Sequence, residues 1–124
     1  MVEIRPTVSS DLAQISTEPL PFRIKAMTGL VDGRVIGVAG IGYRPDGTIL
    51  AFAELTEEAR AHRFALHRAS VKFLAGLRAQ GVKRLVATAD PEFAAAQRWL
   101  QRLGFVRQED ERVWVWSSKP TPTR

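Results

Sequence analysis

The sequence predicts an α/β (α+β) fold with a mixed, mostly antiparallel central sheet flanked by helices, and three features carry that prediction. Two turn signals, Asp32-Gly33 and Arg44-Pro45-Asp46-Gly47, join three apolar stretches into consecutive antiparallel strands. A helix–strand–helix run follows over residues 57–103. A Trp-rich segment behind an acidic turn then closes the chain as a hairpin. The length of 124 residues and a hydrophobic share of 45% suit one domain with one core. We place it at residues 1–118, with 119–124 (KPTPTR) as a disordered tail.

VEIRP reads as a short strand, and Ser9-Ser10-Asp11 ahead of Leu12, Ala13 and Ile15 as a capped helical turn that Pro19 and Pro21 end. RIKAMTGLVD and RVIGVAGIGY meet at Asp32-Gly33, a dipeptide that tolerates positive φ at both positions of a two-residue turn. TILAFAEL is the third strand of the meander. The long helical stretch that ends at Gln80-Gly81 has a main apolar stripe of Leu66, Ala69, Phe73 and Leu77, with Phe64 and Val71 on its other side. A helix apolar on two sides is expected to pack against a sheet.

VKRLVATA is a compact strand, and Asp90-Pro91-Glu92 opens the next helix with an N-cap, a proline at the first helical position and an acid in the first turn. That helix is expected to bury Phe93, Ala96, Trp99, Leu100 and Leu103 and to stop at Gly104 in the left-handed C′ position. Phe105 would pack back on its last turn. FVRQ, the turn Glu109-Asp110-Glu111 and RVWVWSS form the closing hairpin, with Trp114 and Trp116 on one face. If it lies at an edge of the sheet, this last strand is a candidate contact of a homodimer; packing of its tryptophans in the core is the other reading.

Composition removes several kinds of chemistry. Without cysteine the chain has no disulfides, no cysteine-based zinc site and no thiol nucleophile. No apolar run approaches the ~18 residues of a membrane span, so a soluble, cytoplasmic protein with no membrane partner is expected. The net charge is +5, and between Glu58 and Asp90 there is no acid, while Arg60, Arg63, Arg68, Lys72, Arg78, Lys83 and Arg84 are all basic. A one-signed block of this kind invites phosphates, of a nucleotide-like ligand first and of a nucleic acid second.

At the head of the block stands EEARAHRFALHR, residues 57–68. His62 and His67 are five apart and do not share a helix face as metal ligands at i and i+4 do, so no metal is expected. Gly37, Gly40 and Gly42 lie within a strand, not at a strand-to-helix turn; a bulge or a close backbone approach explains them better than a dinucleotide. There is no G-x-S-x-G elbow and no Walker lysine loop.

The order of elements over residues 48–105 resembles the GNAT N-acetyltransferase superfamily. Its cofactor loop reads Q/R-x-x-G-x-G/A, five residues after a hydrophobic strand end. Leu55 takes the strand-end position, Arg60 the Q/R, Arg63 the first glycine and Ala65 the small residue. The family's later helix, N-x-x-A followed by a tyrosine and x-x-L-G-F, maps onto Phe93, Ala96, Leu100, Leu103, Gly104 and Phe105; the asparagine and tyrosine are replaced.

The resemblance implies acyl transfer from acetyl-CoA, or another acyl-CoA, to an amine on a small molecule or protein. Helix-start amides bind pyrophosphate well, and here Ala61, His62, Phe64 and Ala65 would offer theirs, with Arg60 and Arg68 adding charge, while Arg63, in place of the glycine, would either obstruct the approach or turn outward to grip a phosphate. Glu54, the one acid within the predicted strands' core, is the implied base, acting through water. Leu100 removes the family's usual general acid. Two other readings are a catalytically inactive CoA-binding or interaction module and a nucleic-acid binder using residues 60–84. An α-helix starting near His62 would leave the amides free for phosphate, whereas one formed from Glu57 would tie them up.

Overall fold

The computed structural model of the chain describes residues 2–15, 23–89, 91–92 and 94–118. These form seven strands, β1 (Glu3–Pro6), β2 (Arg23–Val31), β3 (Arg34–Tyr43), β4 (Ile49–Leu55), β5 (Arg84–Thr88), β6 (Val106–Arg107) and β7 (Val113–Ser117). Three α-helices join them: α1 (Ser9–Ile15), α2 (Arg63–Ala79) and α3 (Ala94–Arg102). The strands make one sheet in the order β1-β2-β3-β4-β5-β7-β6. Every neighbouring pair is antiparallel except β4 with β5.

The meander forms for the reason its turn residues give. Asp32 and Gly33 have φ of 49° and 79°, the positive pair a tight hairpin needs. The strand glycines serve close approach: a Cβ on Gly40 would lie 2.3 Å from the Lys25 carbonyl oxygen. Beside Gly37 the register between β2 and β3 slips, Gly29 facing Gly37 while Leu30 faces Val35, which leaves Ile36 as the extra residue of a bulge.

One face of the sheet carries α2 and α3, and on it Phe73, Leu77, Leu100 and Leu103 pack over Ile41, Leu85, Ala87, Trp114 and Trp116. The other carries a smaller cluster of Ala26, Leu30, Val35 and Val38, with Ile24 and Phe52 alongside. Both C-terminal helix ends close as Schellman motifs. The N–H of Val82 bonds the Leu77 carbonyl and that of Phe105 the Leu100 carbonyl, each at 3.0 Å. Gly81 and Gly104 take the left-handed positions at φ of 90° and 98°.

Four expectations need correction. The Trp114 strand is not at an edge: β7 lies between β5 and β6, and both tryptophans are in the core. On α2 the second apolar side is exposed, Phe64 at 73% and Val71 at 47%, because the sheet covers only the side of Leu74 and Leu77. The third helix starts at Ala94, with Pro91 and Glu92 in a turn before it and Ala96 exposed. The Gln97 amide donates to the Pro91 carbonyl at 2.6 Å, a bond that holds this turn off the helix axis. In α1 the cap is not a serine; the Asp11 carboxylate, in the third helical position, accepts the Val8 N–H at 2.9 Å. Pro19, Pro21, Asp90, Phe93 and the tail 119–124 lie outside the described residues.

Candidate functional site

The parallel pair β4–β5 is registered at one position, Leu50 opposite Val86. Beyond it β4 runs on through Ala51–Leu55 bonded to β3 alone. The sheet therefore opens on the carboxyl side of Leu50, between two parallel strands whose next elements are α2 and α3. Crevices outside the carboxyl ends of parallel strands are where open sheets of this kind bind ligands.

Glu54 and Leu55 end β4 at this opening, and both are exposed. Alternation puts Glu54 on the face of Phe52 and Leu55 on the face of Ala51, below α2. Leu55 lies against Gly37, where a Cβ would meet its Cδ2 at 2.7 Å. The next residue is pinned to the bulge: Thr56 N–H and Oγ1–H both donate to the Ile36 carbonyl, at 2.9 and 3.0 Å. The spare carbonyl created by the extra residue of β3 thus fixes where β4 ends.

Residues Glu57–His62 then wind as a 3-10 helix that runs directly into α2 at Arg63. Ala59 is buried beneath it, and the Arg34 guanidinium holds Glu58 at 2.7 Å. That ion pair is exposed and lowers the Glu58 pKa. The two alternatives for the helix start are therefore combined. The α-helix begins beside His62, but the chain is already coiled from Glu57.

Coiling of this type turns N–H groups toward carbonyls three residues back, as Ala59 N–H to the Thr56 carbonyl at 3.1 Å. Ala61 and His62 stand inside it, whereas Phe64 and Ala65 are second and third in α2, where no carbonyl of α2 itself lies four residues back. No side chain caps either start.

Around these amides Arg60, Arg63 and Arg68 are exposed, and none has an ion-pair partner among the described residues. The Arg63 guanidinium lies over the Phe64 ring, 4.9 Å from its centroid. It is thus stacked on a side chain of its own helix. His67 accepts the Trp99 indole N–H on Nδ1 at 3.2 Å, joining α2 to α3. A neutral imidazole accepting on Nδ1 carries its proton on Nε2. The sequence placed Trp99 among the buried residues of its helix; two residues 32 positions apart on different helices give no local signal of such a bond.

Among the described residues no three His, Asp or Glu side chains group to hold a metal, and no helix is long and apolar enough to cross a membrane.

An antiparallel meander, a crossover helix that begins at a sheet opening, and a closing hairpin recur together in solved structures. The ribosomal-protein-S18-alanine N-acetyltransferase from Escherichia coli superposes with a TM-score of 0.70 at 18% identity, over 98% of this chain and 97% of its own. A GNAT acetyltransferase from Staphylococcus aureus Mu50 gives 0.74 at 9% identity, over 96% and 100%. The aminoglycoside acetyltransferase AAC(6')-Ib, solved with coenzyme A, gives 0.63 at 15%, over 94% and 95%. No protein-family model matches the sequence, and no curated protein does. The chain has the GNAT acetyltransferase fold.

Proposed function

We propose that the chain is an acyl-CoA-dependent N-acyltransferase that moves an acetyl group from acetyl-CoA to an amine. The observation that carries this reading is the opening of the sheet beside Leu50 and Val86, flanked by the start of a basic, acid-free helix. The coenzyme A bound by AAC(6')-Ib, on the same fold, supports the choice of donor.

In this reading the Phe64 and Ala65 amides meet the pyrophosphate, and Arg60 and Arg68 add charge to it. Leu55 offers apolar surface to the arm that carries the thioester. Glu54, on the opposite face, takes the proton of the incoming amine through water. The amine nitrogen then bonds to the acyl carbon as the carbon–sulfur bond breaks. With leucine at position 100, the departing thiolate takes its proton from solvent.

Calorimetry with acetyl-CoA, with CoA and with a CoA lacking its pyrophosphate tests the binding half. Binding to the first two, weakened by removal of the pyrophosphate and by Arg60→Ala, is expected; no binding to any ends the reading. An amine panel tests transfer. The 3-10 winding over residues 57–62 and the lost tyrosine position favour a second reading, a CoA-binding module without catalysis. Tight binding with no transfer to any amine is its signature. Binding to nucleic acid, independent of sequence and steeply salt-dependent, would instead mark the basic block as a phosphate-tracking surface.

A further inference from the structure

We propose that His67 and Trp99 are a positioning pair that forms a proton-sensitive latch over the β4–β5 opening: the bond between them spaces α2 and α3 above the parting strands, and protonation of the imidazole releases it. The latch itself involves no ligand; its effect on acyl-CoA rests on the function proposed above.

The place of the latch follows from what the two helices stand on. Beside His67, Leu66 reaches down to β2: a Cβ on Gly29 would lie 3.0 Å from Leu66 Cδ2 and 3.6 Å from Ile36 of β3. The start of α2 therefore covers β2 and β3. On the other side, Gln97, Arg98 and Gln101 of α3 share a groove with Trp114 of β7 and Arg107 of β6, and Arg107 Nη1 donates to the Gln97 side-chain oxygen at 3.4 Å. So α3 stands over β7 and β6. In the sheet order the strands between these supports are β4 and β5, which are registered at Leu50 and Val86 and part beyond them. The bond of 3.2 Å from the Trp99 indole N–H to His67 Nδ1 thus crosses the gap on the face that carries the helices. Both residues are half-buried, so the tie is ordered by its neighbours and still within reach of a proton from solvent.

One proton decides the bond. An indole N–H only donates, and an imidazole nitrogen accepts only while it carries no hydrogen. A second ring proton sets donor against donor, and imidazoles are the side chains that gain one between about pH 5 and 8. The charged groups around the pair do not hold it together once that happens. On α2, Arg63 lies one turn before His67 and Arg68 next to it; on α3, Arg98 is next to Trp99 and Arg102 one turn beyond, and all four are exposed. Among the acids, Glu58 is held by Arg34, Glu54 and Glu57 are exposed at the end of β4 and in the 3-10 turn, and Glu92 precedes α3. Neither ion pair among the described residues includes His67. A cation at position 67 thus meets like charge on α3.

The test is NMR on the full chain, which has three tryptophans and two histidines, followed from about pH 8 to about pH 5. Trp99→Phe identifies the Trp99 indole signal by its loss, and His62→Gln leaves the ring signals of His67 by themselves. As pH falls, the Trp99 signal is expected to move upfield in step with the His67 ring and to lose about fivefold of its protection from solvent exchange. Backbone amides of α3 are expected to lose protection over the same range, because the helix is then freed from α2. Both responses should vanish in His67→Asn, whose amide oxygen takes the place of Nδ1 without titrating, and in His67→Phe, which has no acceptor. Acetyl-CoA affinity, read by calorimetry across the same range, should fall about fivefold further in the unaltered chain than in His67→Asn.

A Trp99 signal that ignores pH, that follows His62, or that still titrates in either His67 variant overturns the proposal, as do α3 amides that exchange alike at both ends of the range. Acetyl-CoA affinity that falls equally in the unaltered chain and in His67→Asn overturns it as well, since the bond then has no hold on the opening. Failure of acetyl-CoA to bind at any pH ends the acyl-CoA reading alone, because the indole and amide signals are read without it. Should both His67 variants fail to fold, the coincidence of the Trp99 and His67 titrations in His62→Gln carries the same decision.

Discussion

Asp11 is 1% exposed and accepts four hydrogen bonds, two from the Arg5 guanidinium at 2.7 and 2.9 Å, one from Val8 N–H and one from the Thr28 hydroxyl at 2.8 Å. Because the Thr28 hydroxyl donates to Asp11, it accepts from Thr7, 2.8 Å away. The Arg5 bond, helped by Val8 and Thr28 and opposed by burial, holds the Asp11 carboxyl far below the usual carboxylate range. A carboxyl depressed on folding stabilises the fold above its unfolded pKa of about 4, and that contribution fades as pH falls toward the folded value. Denaturant midpoints measured from neutral pH downward should therefore fall for the native chain and stay flatter for Asp11→Asn, which starts lower. Parallel curves would remove Asp11 as the source. Thr28→Val, which strips one donor from a buried charge, should cost about 2 kcal/mol in the same measurement. The sequence marked Asp11 only as part of a helix cap; Arg5 and Thr28 reach it from β1 and β2, and partners that arrive by tertiary folding leave no local pattern. Glu54 is the opposite case: its place in β4 was legible, and its proposed role as base is a kinetic matter. Glu54→Gln should slow acetyl transfer to the best amine at least tenfold with acetyl-CoA affinity nearly unchanged, and an unchanged rate would remove it as the base.

At the scale of elements, the junction of β4 with α2 combines what was legible and what was not. The strands, the Asp32-Gly33 turn and the Gly104 stop follow from spacing and from φ tolerance, and the structure has them where the residues ask. The bulge at Ile36 was expected only in general, as one use for the glycines of β3. What it does, giving Thr56 two bonds to one carbonyl, depends on a register slip between strands that no single stretch encodes. Thr56→Val keeps the N–H bond and loses the hydroxyl one, and a stability loss of about 1 kcal/mol is expected from thermal unfolding. The exposed pair Arg34–Glu58 should contribute less, since surface ion pairs are worth about 0–1 kcal/mol. Gly40→Ala belongs here too. Its Cβ would collide with the backbone of β2, so a loss of about 3 kcal/mol or failure to fold is expected; a neutral effect would mean that the two strands separate more easily than their register implies.

For the whole molecule, the order β1-β2-β3-β4-β5-β7-β6 places the one parallel pair near the middle of the sheet, with both long helices on one face. Element order alone led to this architecture, because three hairpin-linked strands followed by a strand–helix–strand crossover leave few alternatives. The site was less legible than the fold. Its proposed location after Leu55 follows from the crossover, but the 3-10 winding of residues 57–62 reflects Thr56 and Glu58 being tied to β3, and those ties are long-range. The central claim is that the open pair β4–β5 and the start of α2 receive the pyrophosphate of an acyl-CoA. Titration calorimetry of acetyl-CoA against the native chain and Arg60→Ala tests it most directly. The account predicts saturable one-to-one binding that Arg60→Ala weakens several-fold and that a CoA lacking the pyrophosphate does not reproduce. Heats of dilution alone for acetyl-CoA, or equal affinity for the form without pyrophosphate, would contradict it.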